Sequence, residues 1–246
     1  MPQARPKIRL YVEAPFAEGQ AIGLSVAQSH YLVNVMRQPV GAEVLVFNGA
    51  DGEWLAEIVT AHKKATVLVA RSQVRAQTQV ADVELMFAPI RKERTQFIAE
   101  KATELGVRAL RPVITEFTNA DRVRTDKMTA HAIEAAEQCG GLSVPTVHES
   151  TRFAEALAAL PAERWLMFCD EEMSGGVGVA ALAGHVSRAW TVLIGPEGGF
   201  SPAEREMLLA RANTVAVTLG PRILRADTAA VAALTIWHQA LGDWRA

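Results

Sequence analysis

The chain has 246 residues, half of them hydrophobic, and a formal net charge of −2. That is enough apolar material for one large core or two smaller ones. No apolar run approaches the roughly 20 residues that cross a bilayer, Met1-Pro2-Gln3-Ala4-Arg5-Pro6 lacks the apolar stretch of a signal peptide, and the isolated Cys139 and Cys169 argue against a disulfide framework or a metal site and for the cytoplasm.

The first seventy residues are β-rich. Residues 8–12 alternate as a short strand, and residues 25–36 form a helix with Ser25 as its N-cap. Residues 43–48 and 53–60 are strand-like and flank Gly49-Ala50-Asp51-Gly52, a good hairpin loop. Residues 64–74 make a further strand. Several short strands with one helix predict a small β-barrel over residues 1–74, followed by a polar linker at residues 73–80.

Beyond the linker the texture changes. Strands are expected at residues 83–88, 109–114, 165–169, 191–194 and 215–219. Helices are expected at residues 94–105, 127–139, 153–160, 202–212 and 228–241. This alternation predicts an α/β domain with a mainly parallel sheet over residues 80–246. Gly175-Gly176-Val177-Gly178 lies between elements and is expected to be a flexible loop.

The sharpest motif is Leu193-Ile194-Gly195-Pro196-Glu197-Gly198-Gly199-Phe200-Ser201. A buried strand ends in a glycine-rich loop and a helix starts at once. Ligands of open α/β sheets sit at such strand ends, and glycine lets the backbone approach them. A tight turn is the alternative, with Ser201 as N-cap, Pro202 at the first helical position and Glu204 completing a capping box. Neither a Walker loop nor a GxGxxG fingerprint is present. A second strand ends in Leu219-Gly220-Pro221-Arg222-Ile223-Leu224-Arg225-Ala226-Asp227-Thr228, again before a helix. Two such loops one helix–strand unit apart favour a shared pocket.

Basic residues are unevenly spread. Residues 1–130 hold 17 Lys/Arg against 14 Asp/Glu, and residues 131–246 hold 8 against 13. Any basic surface is therefore modest and lies in the first half. Arg91-Lys92-Glu93-Arg94 opens a helix, where cations oppose the helix dipole and an external anion would relieve them.

The paired motifs Leu-Ile-Gly-Pro-Glu-Gly-Gly-Phe and Leu-Gly-Pro-Arg-Ile-Leu-Arg-x-Asp-Thr-Ala resemble those of the small-subunit ribosomal RNA methyltransferase E family, within the knotted SPOUT methyltransferases. Supporting stretches are His30-Tyr31-Leu32, Val35-Met36-Arg37, Phe47-Asn48-Gly49, Lys101-Ala102-Thr103-Glu104-Leu105-Gly106-Val107 and Glu137-Gln138-Cys139-Gly140. The resemblance runs from about Arg9 to Gly242. It implies a PUA-like N-terminal β-barrel that binds RNA and an α/β methyltransferase domain with a trefoil knot. It also implies a homodimer that uses S-adenosylmethionine, without a metal, to methylate N3 of a uridine in 16S ribosomal RNA of the small subunit.

Carried over residue by residue, the resemblance puts Leu193, Gly195, Pro196, Glu197, Gly198, Leu219, Gly220, Ile223, Leu224 and Thr228 around the cofactor. It makes Arg225 and Asp227 the catalytic pair, with Asp227 accepting a proton or orienting Arg225. Arg9, Arg37, Arg91, Lys92 and Arg94 become the RNA contacts. Two departures stand out: the family usually has Glu at Asp227 and Arg at Gly141. Alternatives are a ribose 2′-O-methyltransferase on the same fold, a non-catalytic RNA-binding module, and a dinucleotide-dependent enzyme, which the missing glycine fingerprint disfavours.

Overall fold

A computed structural model describes residues 8–119, 123–170, 175–185 and 189–244. The chain divides into two compact units: Met1–Gln79 with Ala136–Val144, and Val80–Ala135 with Pro145–Ala246. The inclusion of residues 136–144 in the first unit is a feature that sequence reading did not anticipate.

The first unit is built on β1 (Arg9–Tyr11), β2 (Ala21–Gly23), β3 (Glu43–Phe47), β4 (Glu53–Thr60) and β5 (Val67–Arg75), in the order β1-β3-β4-β5-β2. Alternate residues point inward, so Val44 and Val46, Ala56 and Ile58, and Leu68 and Ala70 are fully buried. Register shifts between Glu53 and Trp54, Leu55 and Ala56, and Ile58 and Thr60 bend the β4–β5 pair. The edge strands β1 and β2 are not paired with each other, so the sheet is a half-barrel. In the β3–β4 hairpin, Asn48 Oδ1 accepts from the backbone N–H of Ala50 and Asp51. Gly52 holds φ +75°, and a Cβ there would lie 2.2 Å from the Arg75 carbonyl oxygen, so only glycine fits.

Helix α1 (Val26–His30) starts on a capping box between Ser25 and Gln28 and passes into a π-helical turn, Tyr31–Val35. Arg37 follows with φ +53°, the only non-glycine residue with positive φ among those described.

Arg9 corrects an expectation. Its Nε donates to Glu53 Oε1 at 2.7 Å, its Nη1 to the carbonyls of Ala136 and Glu137 at 2.6 and 2.8 Å, and its Nη2 to the Gly141 carbonyl at 2.8 Å. The guanidinium also lies 4.5 Å over the Phe47 ring. A cation on the terminal carbonyls of a helix is favourable for the exposed lone pairs and for the helix dipole. Arg9 therefore pins residues 136–144 to the half-barrel and has no fork left for a phosphate.

The second unit holds a parallel sheet in the order β11-β13-β10-β12-β6-β7-β8. Its strands are β6 (Val83–Phe87), β7 (Ala109–Ile114), β8 (Thr146–Val147), β10 (Trp165–Cys169), β11 (Gly176–Val177), β12 (Trp190–Ile194) and β13 (Thr214–Thr218), while β9 (Thr151–Arg152) pairs with the end of β7. The helices are α2 (Lys92–Glu104), α3 (Thr125–Cys139), α4 (Phe153–Ala159), α5 (Pro202–Ala210) and α6 (Ala226–Ala240).

Strands β6 and β12 are buried at every position, as central strands covered on both faces must be. Val83, Leu85, Phe87, Trp190, Val192 and Ile194 pack with Ile98 of α2 and Leu234 and Trp237 of α6. Met86 and Leu193 point the other way, toward Phe153 and Leu157 of α4 and Leu208 of α5. The glycine segment expected to be flexible is instead ordered. Gly176–Val177 is β11, a 3-10 turn spans Gly178–Leu182, and a Cβ on Gly175 would lie 2.4 Å from the Ala216 carbonyl.

Candidate cofactor and RNA site

Because the strand pairings of this sheet are parallel, the carboxyl ends of β10, β12 and β13 share one edge. Strand β10 lies between the other two, so their loops flank its end. A cavity of about 340 Å³ opens there, a size in the range of small-ligand sites. Its walls are Cys169 and Asp170 at the end of β10, residues 194–199 at the end of β12, residues 218–224 at the end of β13, and Ala226 and Ala229 of α6.

The structure thus brings together Gly195, Pro196, Glu197 and Gly198 with Leu219, Gly220, Ile223 and Leu224. Two expected residues fall outside the lining. Leu193 is fully buried in the core, and Thr228 is exposed on the first turn of α6. Cys169 and Asp170 were missed because only the strand order, not the local sequence, places the end of β10 between the two loops. The Asp170 carboxylate is buried and accepts from Arg205 Nη2 at 3.0 Å.

The first loop is locked by packing. A Cβ on Gly195 would come within 2.7 Å of the Phe200 ring. That ring cannot move aside, because it packs against Phe153 and Phe168 at centroid distances of 5.6 and 5.4 Å. The Gly199 N–H closes a turn on the Pro196 carbonyl at 2.9 Å. Ser201 and Glu204 then form the capping box of α5, with Pro202 in its first turn. Glu204 also accepts from the Glu116 N–H at 2.9 Å, tying a neighbouring loop to the helix start. The tight helix turn is also a wall of the cavity.

In the second loop, Gly220 holds φ +113°, which disfavours any side chain. Ile223 is 92% exposed at the rim of the cavity. Arg225 is the N-cap residue of α6 and makes no side-chain cap hydrogen bond. It is exposed and has no side-chain partner among the described residues. Asp227 Oδ2 accepts from Arg94 Nη1 at 2.7 Å, and its Oδ1 accepts from the Thr228 N–H at 2.9 Å. Its side chain is 14% exposed. Arg94, not Arg225, therefore engages Asp227, and Arg94 is committed to an ion pair rather than open to RNA. Of the other residues expected to meet RNA, Arg37, Arg91 and Lys92 are exposed.

Among the described residues, no group of three or more His, Cys, Asp or Glu is arranged to hold a metal ion, and no helix is long and apolar enough to cross a membrane.

The model of the RNA methyltransferase domain family matches residues 76–238, about two thirds of the chain. The chain belongs to this RNA methyltransferase family. The model of the RNA methyltransferase PUA domain matches residues 24–69, within the half-barrel. Among relatives of the methyltransferase, the Ribosomal RNA small subunit methyltransferase E of Rickettsia conorii is 29% identical over 92% of this chain and 93% of its own. A crystal structure of the protein of that name from Neisseria gonorrhoeae, bound to S-adenosyl methionine, is 27% identical with a TM-score of 0.83, over 96% of this chain and 99% of that one. A methyltransferase of Legionella pneumophila in complex with the same cofactor is 26% identical with a TM-score of 0.84, over 98% of this chain and all of that one.

Proposed function

We propose that this chain, as a cytoplasmic homodimer, transfers a methyl group from S-adenosylmethionine to N3 of a uridine in 16S ribosomal RNA. The observation that carries this reading is the cavity between the two glycine loops, in a family whose members bind that cofactor and are named for small-subunit ribosomal RNA. The lining fits the cofactor. Ile194, Leu219, Leu224, Ala226 and Ala229 offer apolar surface for the adenine, and the glycine loop offers backbone groups for its polar edge. Glu197, which also lines the cavity, would meet a ribose hydroxyl or the methionyl ammonium.

Bound S-adenosylmethionine supplies an electrophilic methyl group on a sulfonium. The chain must then hold the uracil in line, an alignment able to supply roughly 7–11 kcal/mol of the barrier. Arg225, unengaged in the free protein, stabilises negative charge that develops on the uracil ring. Asp227, fixed by Arg94, receives the N3 proton. Arg37, Arg91 and Lys92 meet the RNA backbone. A homodimer would cover an apolar side chain left open at the rim of the cavity, Ile223 at 92% exposure.

Calorimetric titration tests the cofactor. The wild-type chain is expected to bind S-adenosylmethionine and not NAD. Gly195→Val, which drives two methyl groups at the Phe200 ring, is expected to weaken that binding at least tenfold. Tighter binding of NAD, or an unchanged affinity in the variant, would refute the site.

A further inference from the structure

A second cavity of about 340 Å³ opens in the α/β unit beside the first turns of α2 and α3. Its polar lining is cationic, with Arg91 and Lys92 from the start of α2, Arg124 and Lys127 from the start of α3, and Asn119. Its floor is apolar, since Ile90 is 8% and Met128 1% exposed. Arg124 is taken by Asp126, at 2.8 Å through Nε and 2.6 Å through Nη2, and those bonds hold the Asp126 carboxyl down at about 2. Arg91, Lys92 and Lys127 are exposed and make no salt bridge among the described residues. Like charges gathered around one hollow repel, and in the first turn of a helix they also oppose its dipole. A bound anion relieves both costs.

Two contacts connect this hollow to the cofactor cavity. Arg94, on the same turn of α2 as Lys92 and Thr95 of the second cavity, holds Asp227, which adjoins Ala226 of the first. Phe117, two residues before Asn119, is 41% exposed and rests on the glycine loop, where a Cβ added to Gly198 would lie 3.2 Å from its own Cβ. A strand that presents a base at Asp227 would run its backbone into the cationic hollow. The unpaired nucleotides that RNA enzymes act on are held in this manner, by charge on the backbone and a pocket for the base.

We propose that the second cavity seats a backbone phosphate of the RNA strand next to the methylated nucleotide, held by Arg91, Lys92 and Lys127. This rests on the reading of the chain as an RNA methyltransferase, and the test separates the two. Binding of a small-subunit RNA fragment is measured against salt for wild type and for Lys92→Ala/Lys127→Ala. Each phosphate contact on a single strand contributes about 0.7 to the slope of log affinity against log salt. The double variant is expected to lose about 0.7 of that slope, the share of the one phosphate seated here, and to raise the KM for RNA, while its KM for S-adenosylmethionine and melting temperature hold. Lys127→Glu, a single exposed change, is expected to shift both quantities the same way. Unchanged slope and RNA KM in folded variants would overturn the proposal. So would binding of inorganic phosphate to the wild type that leaves its affinity for RNA unchanged at equal ionic strength, which would reassign the hollow to a free anion. Failure of the wild type to methylate small-subunit RNA would instead remove the functional reading beneath it.

Discussion

Arg225→Ala is expected to lower kcat about 10²–10³-fold, the loss of about 2.7–4 kcal/mol seen when a preorganised charge donor is removed from a transition state. The structure makes this a clean measurement. Arg225 caps α6 through its backbone only, with no side-chain cap bond, and its guanidinium is exposed without a partner among the described residues. Nothing in the fold depends on it, so melting temperature and affinity for S-adenosylmethionine should hold. Asp227→Asn is the companion. It keeps the size of the side chain and removes the charge that receives Arg94, so a fall in kcat is expected here also. Steady-state kinetics with a thermal melt decides. If both variants turn over at the wild-type rate while folded, the catalytic assignment is wrong.

Arg9→Ala is expected to destabilise the half-barrel by about 3–5 kcal/mol, the usual cost of leaving one partner of a buried ion pair alone. Glu53 is 4% exposed and, among the described residues, would keep only Arg75 at 3.6 Å as a cationic partner. The carbonyls of Ala136, Glu137 and Gly141 would also lose their donor. Arg9→Lys should recover little, because an ammonium cannot reproduce the planar fork. Thermal unfolding followed by circular dichroism reads the effect. An unchanged melting temperature with weakened RNA binding would restore Arg9 as an RNA contact and remove it as the pin of residues 136–144.

These two arginines show which parts of the molecule are legible in sequence. Local chemistry is. Ser201, Pro202 and Glu204 spell a helix start, Asn48 to Gly52 spell a hairpin, and the glycines after β12 and β13 mark strand ends. The cavity follows from placing two such ends on one edge of the sheet, either side of β10. Contacts across long sequence separation are not legible. Arg9 and Gly141 lie 132 positions apart, and Arg94 and Asp227 lie 133 apart. In the sequence, Arg9 and Arg94 look like any surface cations. Cys169 and Asp170 enter the cavity only because β10 is threaded between β12 and β13, an order that no strand states by itself. A knot belongs to the whole path of a chain, and only the family resemblance implied one.

The shortened acid at Asp227 acquires a physical context. The resemblance implies Glu there, one methylene longer. Here Arg94 reaches across from α2 and holds Asp227 Oδ2 at 2.7 Å, so the carboxylate is positioned from outside its own helix. At Gly141, where the resemblance implies Arg, the chain offers a carbonyl to Arg9.

The central claim is a chemical one, and the product nucleoside tests it most directly. Purified chain, S-adenosylmethionine and small ribosomal subunits or their 16S RNA are incubated together, and the RNA is digested and analysed by mass spectrometry against unmodified controls. N3-methyluridine is the expected new nucleoside. A 2′-O-methylated nucleoside in its place, or no methyl transfer by a chain that binds the cofactor, would contradict the account.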